Sequence, residues 1–254
     1  MNDYVIERLG EHSLANADCI AVMQDIADNS IDLILADLPY GTTANKWDSV
    51  IDLDALWSAY LRITKPISAI ALTASQPFTA RLVMSQPKLF KHEWVWIKNR
   101  GSNFANTVRE PMKEHESVLI FSKAKWTYNK QMQPRTGGGL DRVNYAISHE
   151  THSENYGNIA AQHGQLSDLR VPASWQKFNT QVGLHPTQKP VELMRYLIRT
   201  YTNPGDIVLD NTMGSGTTGV AAAMEGRIFK GIEQDPAYFA KARERLAAHV
   251  ACAA

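Results

Sequence analysis

Apolar and polar positions follow one another along the chain in a pattern that predicts alternating strands and helices. The run 31–36 is almost wholly aliphatic, which is typical of a strand buried on both faces of a parallel sheet. Pro39 cannot donate to a sheet ladder and Gly41 relaxes the backbone, so we expect this strand to end there. Asp37 then lies at the carboxyl end of a central strand, where open α/β sheets bind ligands. An ordinary strand followed by a Pro-Tyr-Gly turn is the plainer interpretation of the same residues.

The same periodicities predict the other elements. Apolar residues at helical spacing predict helices over 20–27, 53–64, 76–84, 191–201, 214–226 and 236–249. Short apolar runs predict strands over 67–73, 91–98, 116–121, 206–210 and 227–232. Strands that alternate with helices predict an α/β fold. Of the two tryptophans in the strand 91–98, Trp94 and Trp96, we expect one in the core and the other on the surface.

The stretch 123–184 differs from the rest of the chain. It is rich in Asn, Ser and Gln, contains three consecutive glycines, and shows little periodicity. It is too long for a plain connection in a compact domain, which favours a functional insertion. A disordered linker is the alternative, and the interleaved aromatic residues disfavour it. We therefore predict a single domain over 1–254, with a core formed by 1–122 and 185–254 and an insert at about 123–184.

Composition narrows the class of protein. A chain of 254 residues with 44% hydrophobic and 20% charged residues is typical of a globular protein. No apolar run approaches 18 residues, and the acidic start does not resemble a secretory signal, so we expect no membrane association. Cys19 and Cys252 are the only cysteines, which argues against a disulfide framework and a structural zinc site. We expect a cytoplasmic protein with no bound metal.

Charge is unevenly distributed although the formal net charge is zero. Residues 1–60 contain 11 acidic and 2 basic residues, whereas residues 88–143 contain 11 basic and 5 acidic residues. Such asymmetry hints at a strip that faces a polyanion, although uneven charge is also common on solvated surfaces.

A glycine turn between a strand and a helix marks a candidate cofactor site. The segment 208–218 contains Asp210, then Gly214-Ser215-Gly216-Thr217-Thr218, and Glu233 ends the next strand. A glycine turn allows a ligand to approach the backbone, and a carboxylate at the next strand end can bind ribose hydroxyls. The pattern alone indicates an adenosine-type cofactor. It lacks the G-x-G-x-x-G spacing, and no lysine follows the second glycine as in a P-loop.

Three spaced motifs, taken together, resemble a known family. Asp37-Leu38-Pro39-Tyr40 comes first, His185-Pro186-Thr187-Gln188-Lys189-Pro190 lies far downstream, and the segment from Asp210 to Thr218 comes last. This order is similar to that of the β-class amino-methyltransferases of DNA, which use S-adenosyl-L-methionine. The resemblance covers essentially the whole chain outside the insert. It implies a Rossmann-like methyltransferase sheet flanked by helices, with a small inserted target-recognition region.

The resemblance also implies roles at the first motif. Asp37 and the backbone carbonyl of Pro39 would accept hydrogen bonds from the exocyclic amine of a flipped-out base, and Tyr40 would stack on that base. Asp at the head of the motif is typical of enzymes that methylate adenine N6, whereas Ser is typical of cytosine-N4 enzymes. A cytosine-N4 enzyme remains the alternative. A carbon-5 cytosine enzyme is disfavoured, because neither Cys19 nor Cys252 follows a proline.

On the cofactor side, the resemblance assigns Asp18 to the adenine, Glu233 to the ribose, and Thr187 and Lys189 to the methionine moiety. The full predicted cofactor set is Asp18, Asp37, Thr187, Lys189, Asp210, Gly214, Gly216, Thr217 and Glu233. Asp18 and Thr187 could instead be helix caps. The sequence departs from the family pattern at Leu38, where Pro is commonest, and at 211–213, where Pro-Phe-x is usual.

The predicted partner is double-stranded DNA, and a homodimer is possible because many relatives of this class pair. Candidate phosphate contacts are Lys98, Arg100, Lys125, Lys130, Arg135 and Arg142. The short insert and the lack of a nuclease-like extension resemble stand-alone methyltransferases. Competing hypotheses are an RNA or protein-glutamine methyltransferase, a catalytically silent DNA-binding relative, and a nicotinamide oxidoreductase.

Overall fold

The chain forms two units in the computed structural model, which describes residues 4–41, 50–136, 151–155, 157–159, 168–181 and 188–253. The larger unit combines 1–129 with 174–254, and the smaller unit is 130–173. The strands are β1 (Ile6–Leu9), β2 (His12–Asn16), β3 (Ile31–Asp37), β4 (Thr64–Ala74), β5 (Phe90–Ser102), β6 (Lys113–Phe121), β7 (Gln133–Pro134), β8 (Thr151–Ser153), β9 (Gly157–Ile159), β10 (Leu169–Arg170), β11 (Trp175–Lys177), β12 (Ile207–Asp210) and β13 (Ile228–Glu233).

The larger unit contains a mixed sheet. Its order in the described residues is β1-β2-β13-β12-β3-β4-β6-β5-β11. Strands β2, β13, β12, β3 and β4 run parallel to one another, while β6 is antiparallel to both β4 and β5. The parallel strands therefore place their carboxyl ends along one edge of the sheet.

Helices cover both faces of this sheet. They are α1 (Cys19–Gln24), α2 (Leu53–Ile63), α3 (Phe78–Ser85), α4 (Val191–Tyr201), α5 (Thr217–Met224) and α6 (Pro236–Ala253). Buried side chains of α1, α2 and α3 form one core cluster with the sheet, and those of α4, α5 and α6 form the other. Aspartates begin three of these helices, because the side chains of Asp18, Asp52 and Asp235 accept backbone N–H groups of the first turn. The predicted α/β sheet flanked by helices is confirmed.

Strand β3 lies at the centre of both clusters. Leu33 and Leu35 face the cluster of α4–α6, while Ile34 and Ala36 face the cluster of α1–α3. All four side chains are almost wholly inaccessible to solvent. The prediction of a strand buried on both faces is confirmed, and its burial fixes the position of Asp37 at the strand end.

The expectation for the two tryptophans was wrong. Trp94 and Trp96 are both buried, because residues two apart in a strand point to the same face of the sheet. Each indole N–H also has a buried partner: Trp94 donates to the Tyr201 hydroxyl and Trp96 to the Phe178 carbonyl, the latter at 2.9 Å. The polar atoms of these large side chains are therefore satisfied inside the core.

The smaller unit has narrower bounds than the predicted insert. Residues 123–129 and 174–181 belong to the larger unit, where β11 pairs in parallel with β5 and the Asn129 N–H donates to the Thr200 carbonyl at 2.7 Å. Within the smaller unit, β7 pairs with β10 and β8 pairs with β9, both antiparallel. The three glycines 137–139 lie outside the described residues.

None of the helices in the described ranges combines the length and the apolar content needed to cross a membrane.

A substitution at Gly216 tests the packing between α5 and α6. Its φ is +78°, and a Cβ added there would lie 2.8 Å from the Ala242 Cβ. We expect Gly216→Ala to lower the free energy of unfolding by about 2–4 kcal/mol, because it adds backbone strain and a clash with a helix. Gly226→Ala is the matched control, since its φ of +68° carries the strain but the added Cβ would meet no atom within 4 Å. Measured by urea denaturation, the control should lower the free energy of unfolding by about 1–2 kcal/mol. Equal losses would contradict the packing argument.

Candidate active site

A cavity of about 480 Å³ opens at the edge of the sheet where the parallel strands end. Much of its wall is formed by residues at the ends of β2, β3, β12 and β13. Four carboxylates lie at these strand ends, Asp18, Asp37, Asp210 and Glu233, and two more, Asp52 and Glu116, also line the cavity. This is the position at which open α/β sheets bind ligands, so the fold itself brings these side chains together.

Asp37 is held by groups from four different parts of the chain. Its Oδ1 accepts hydrogen bonds from the Tyr40 hydroxyl, at 2.8 Å, and from the Thr73 hydroxyl. Its Oδ2 accepts from Lys189 Nζ at 2.7 Å. Its backbone carbonyl accepts from the Thr212 hydroxyl at 3.1 Å. The two carboxylate oxygens offer about four acceptor positions, so the carboxylate is oriented and keeps acceptor capacity for a further donor.

Lys189 is a buried cation between two acids. Its Nζ lies 3.3 Å from Glu116 Oε2, in addition to its contact with Asp37. Burial acts to lower the pKa of Lys189, but the negative charges of Asp37 and Glu116 outweigh it, and the pKa lies well above the ordinary value. The ammonium therefore stays charged beside the Asp37 carboxylate.

Tyr40 packs against the floor of the site. Its ring stacks on Phe78 with centroids 5.3 Å apart and an interplanar angle of 24°. Burial, followed by the nearby charge of Asp37, raises the pKa of Tyr40 well above its ordinary value. The phenol thus keeps its proton and can donate it in the hydrogen bond to Asp37.

The glycine turn and Glu233 are joined by hydrogen bonds. Glu233 Oε2 accepts from the Gly214 N–H at 2.9 Å, and Oε1 accepts from the Asp235 N–H at 2.8 Å. Burial is the main cause that raises the pKa of Glu233. Gly214 has a φ of +52°, and a Cβ added there would meet no atom within 4 Å. The turn therefore presents bare backbone beside the cavity.

Asp210 and Asp18 both line the cavity, and each accepts a backbone N–H. Asp210 is only 3% exposed and accepts the Thr212 N–H at 3.0 Å, and its burial raises its pKa to about 7. Asp18 accepts the Ala21 N–H at 2.9 Å as the cap of α1, and it also lines the cavity. The capping interpretation of Asp18 is therefore confirmed, and the cap lies at the cavity wall.

Most of the predicted catalytic and cofactor residues meet at this cavity. Those that line it are Asp18, Asp37, Pro39, Tyr40, Lys189, Asp210, Gly214, Thr217 and Glu233. Gly216 is not among the lining residues, because its α-carbon faces Ala242 of α6. Thr187 lies outside the described residues.

The predicted DNA contacts are distributed differently. Arg100, Lys125 and Lys130 are exposed, and Arg135 is half-buried. The side chain of Lys98 is only 9% exposed and forms an ion pair with Glu116, so its charge is not presented to solvent as the prediction required. Arg142 lies outside the described residues.

Sequence reasoning missed three residues around Asp37. Thr73 lies opposite Asp37 in the β3–β4 pairing, and Thr212 occupies one of the positions that departs from the family pattern. Glu116 stands at the point where β6 changes from exposed to buried residues, and nothing in the local sequence marks its contact with Lys189. Another departing residue, Asn211, accepts a hydrogen bond from the buried Tyr60 hydroxyl at 2.5 Å.

The raised pKa of Asp210 predicts a pH dependence of stability. Between the ordinary carboxyl range and pH 7, the folded protein holds a proton that the unfolded chain has released, so the free energy of unfolding falls as pH rises. From pH 5 to pH 8 this loss should be on the order of 2 kcal/mol, and Asp210→Asn should remove it. Urea denaturation at both pH values measures the effect. Asp54→Asn, at an exposed acid, should behave like the wild type. An unchanged pH dependence in Asp210→Asn would contradict the prediction.

Comparison with known proteins gives relatives that match most of the chain. It is 27% identical over 249 residues to the DNA adenine methyltransferase YhdJ of Escherichia coli K12, covering 92% of this chain and 82% of that protein. It is 28% identical over 266 residues to the type II methyltransferase M2.MboI of Moraxella bovis, covering 92% and 86%.

Solved structures show the same fold. The crystal structure of M1.HpyAVI matches with a TM-score of 0.62 at 24% identity, covering 92% of this chain and 97% of that one. The PvuII DNA methyltransferase, which is cytosine-N4-specific, matches with a TM-score of 0.66 at 16% identity, covering 92% and 86%.

The sequence model of the N6_N4_Mtase family, described as DNA methylase, matches residues 31–244. This range is most of the chain and contains the catalytic-motif residues from Asp37 to Tyr40, Lys189, and the glycine turn with Glu233. The chain belongs to the DNA methylase family.

Proposed function

We propose that this protein transfers a methyl group from S-adenosyl-L-methionine to the N6 amine of adenine in double-stranded DNA. The observation that carries the proposal is the convergence of Asp37, Pro39 and Tyr40 with Asp18, Asp210 and Glu233 around one cavity. The first set can receive an amine-bearing base, and the second can receive a nucleoside cofactor. Membership of the DNA methylase family supports both assignments.

The cavity fits the cofactor in chemistry. S-adenosyl-L-methionine carries ribose hydroxyls, an adenine amine, an ammonium and a positive sulfonium, all of which favour acidic or carbonyl acceptors. Glu233 would bind the ribose, Asp18 the adenine, and the bare backbone at Gly214 would allow close approach. Gln188 lines the same cavity, and its Oε1 is buried with no hydrogen-bond partner among the described residues, which suits a ligand donor. When bound, the cofactor supplies an electrophilic methyl group.

The residues at the end of β3 would prepare the amine. Asp37 and the Pro39 carbonyl accept its two N–H groups, which draws the nitrogen lone pair away from the ring and toward the methyl donor. As the new N–C bond forms, the bond between the methyl group and the sulfonium sulfur would break and leave a neutral thioether. The amine would lose one proton, which Asp37 or solvent water would accept. Alignment of this kind can lower the barrier by about 7–11 kcal/mol without a covalent nucleophile.

Tyr40 would hold the target base. Removing a base from the duplex costs a few kcal/mol, which stacking on an aromatic ring partly offsets. One face of the Tyr40 ring already packs on Phe78, so the ring is held in place before the base arrives.

Adenine is favoured over cytosine by the Asp at the head of the motif. The relative YhdJ is a DNA adenine methyltransferase, which agrees with this choice. The likeness to the cytosine-N4-specific PvuII enzyme is one of fold, and a shared fold does not select the base.

Contacts to DNA complete the proposal. Exposed Arg100, Lys125 and Lys130 would contact phosphates, which position the duplex without reading its sequence. The smaller unit, 130–173, would carry target recognition, since it occupies the place of the predicted insert. A homodimer and a cytoplasmic location remain predictions.

Mass spectrometry of nucleosides tests the reaction. After incubation with S-adenosyl-L-methionine and unmethylated genomic DNA, we expect N6-methyladenine in the digest. Asp37→Asn should reduce the rate by about 10²-fold or more, because an acceptor for the amine is replaced by a donor. Glu244→Gln, at an exposed acid of α6 that does not line the cavity, should leave the rate unchanged.

The outcomes separate the hypotheses. N4-methylcytosine in place of N6-methyladenine would keep the fold and the family but overturn the base. Absence of any methylated nucleoside, with cofactor binding intact, would overturn methyl transfer to DNA and favour a silent relative or another substrate.

A further inference from the structure

Four charged side chains of alternating sign form a row, and the first three of them line the cavity. In order they are Asp37, Lys189, Glu116 and Lys98. The two terminal contacts are hydrogen-bonded, between Lys189 and Asp37 and between Lys98 and Glu116. Of these four residues, the proposed function uses only Asp37.

Strand register explains how Glu116 reaches this place. Thr73 of β4 lies opposite Asp37 on one side and opposite Val118 of β6 on the other. Because β6 runs antiparallel to β4, the residues that precede Val118 extend beyond the edge at which Asp37 lies. Glu116 is therefore delivered to the cavity wall by the sheet and not by a loop.

The Glu116 carboxylate is directed at Lys189. Its Oε2 is buried, has no hydrogen-bond partner among the described residues, and lies 3.3 Å from Lys189 Nζ. The lysine side chain has four rotatable bonds, so a single anionic partner leaves its ammonium free to swing about that partner. Two anions on different sides define one position for Nζ.

Lys98 balances the charge of Glu116. Its side chain is buried, and its Nζ lies 5.2 Å from the centre of the Trp96 ring. Burial alone would raise the pKa of Glu116, but Lys189 and Lys98 outweigh it and lower the pKa below its ordinary value. The carboxylate is therefore charged where it faces Lys189.

We propose that Glu116 is a positioning residue for methyl transfer, with Lys98 as its counter-ion. Glu116 fixes Lys189 Nζ against Asp37 Oδ2, and this contact fixes the direction in which Asp37 presents its remaining acceptor positions to the target amine. The inference rests on the proposed function. It predicts that Glu116 affects the rate of the chemical step and not the binding of cofactor or DNA.

Glu116→Gln tests the role of the charge. At saturating S-adenosyl-L-methionine and DNA, the single-turnover rate should fall about 10–100-fold. A displacement of the Asp37 carboxylate by about 1 Å or less is enough to slow the reaction by such a factor. The dissociation constants for the cofactor and for a DNA duplex should each change less than about threefold, a split that general unfolding would not produce. Glu114→Gln is the matched control, since Glu114 is an exposed acid on the same strand and does not line the cavity. It should leave the rate unchanged.

Two further variants separate positioning from a general structural role. Glu116→Asp keeps the charge and should recover most of the rate lost in Glu116→Gln, whereas equal losses would overturn a role for the charge. In a Lys189→Met background, Glu116→Gln should cause little further loss, because its effect passes through Lys189. Losses that multiply would overturn this coupling.

Lys98→Met distinguishes a counter-ion from a phosphate contact. It should lower the single-turnover rate and leave unchanged the slope of log Kd for DNA against log salt concentration. Arg100→Met, at the exposed cation two residues away, should reduce that slope by about 1. A reduced slope in Lys98→Met would overturn its assignment as counter-ion.

The inference and the proposed function fail in different ways. If the wild-type protein produces no methylated DNA, the proposed function fails. If the wild type is active and Glu116→Gln matches it in single-turnover rate, the inference alone is overturned.

Discussion

The ion pair between Lys189 and Asp37 is the contact on which the site depends. The two residues lie 152 positions apart in the chain and meet at 2.7 Å, so neither half of the chain forms the site alone. Asp37 is supplied by a strand that is buried on both faces, and Lys189 by the segment that leads into α4. The helix packs on the face of the sheet that includes Leu33 and Leu35, and this packing holds the two charges together.

Because this ion pair is buried, the loss of either partner is energetically unfavourable. A buried charge without a partner is strongly unfavourable, and the loss of one partner costs more than the pair contributes over an apolar replacement. The alternating order of Asp37, Lys189, Glu116 and Lys98 leaves each charge next to an opposite one. The arrangement contributes more to the orientation of the Asp37 carboxylate than to the stability of the fold. A carboxylate held by several donors can accept a hydrogen bond from an incoming amine in only a few directions.

Local pattern sufficed for much of the fold and for the motif residues of the site. The predicted helix 191–201 has the observed bounds, and the strand 31–36 was placed to within one residue, because long apolar runs and helical spacing are decided by nearby residues. Glu116 and Thr73 could not be found in this way, since only the pairing of β4 with β3 and β6 brings them near Asp37. Lys98 looked like a surface cation for the same reason: its partner is 18 residues away on the next strand. The pairing of β11 with β5 places the carboxyl end of the predicted insert in the larger unit, and the backbone hydrogen bond from Asn129 to Thr200 holds its amino end there.

The two ends of the larger unit meet on the side of the sheet where β1 lies. Arg243 of α6 pairs with Glu7 of β1 at 3.5 Å, and Val250 lies beside the turn at Gly10. A chain joined at these ends and opened between the two halves of the site would be a circular permutant with the cofactor motif first and the Asp37 motif last. Each strand of the sheet could keep its neighbouring strands, because β3 can pair with β12 whichever of the two comes first along the chain. The order of the motifs along the chain therefore places no requirement on the chemistry of the site.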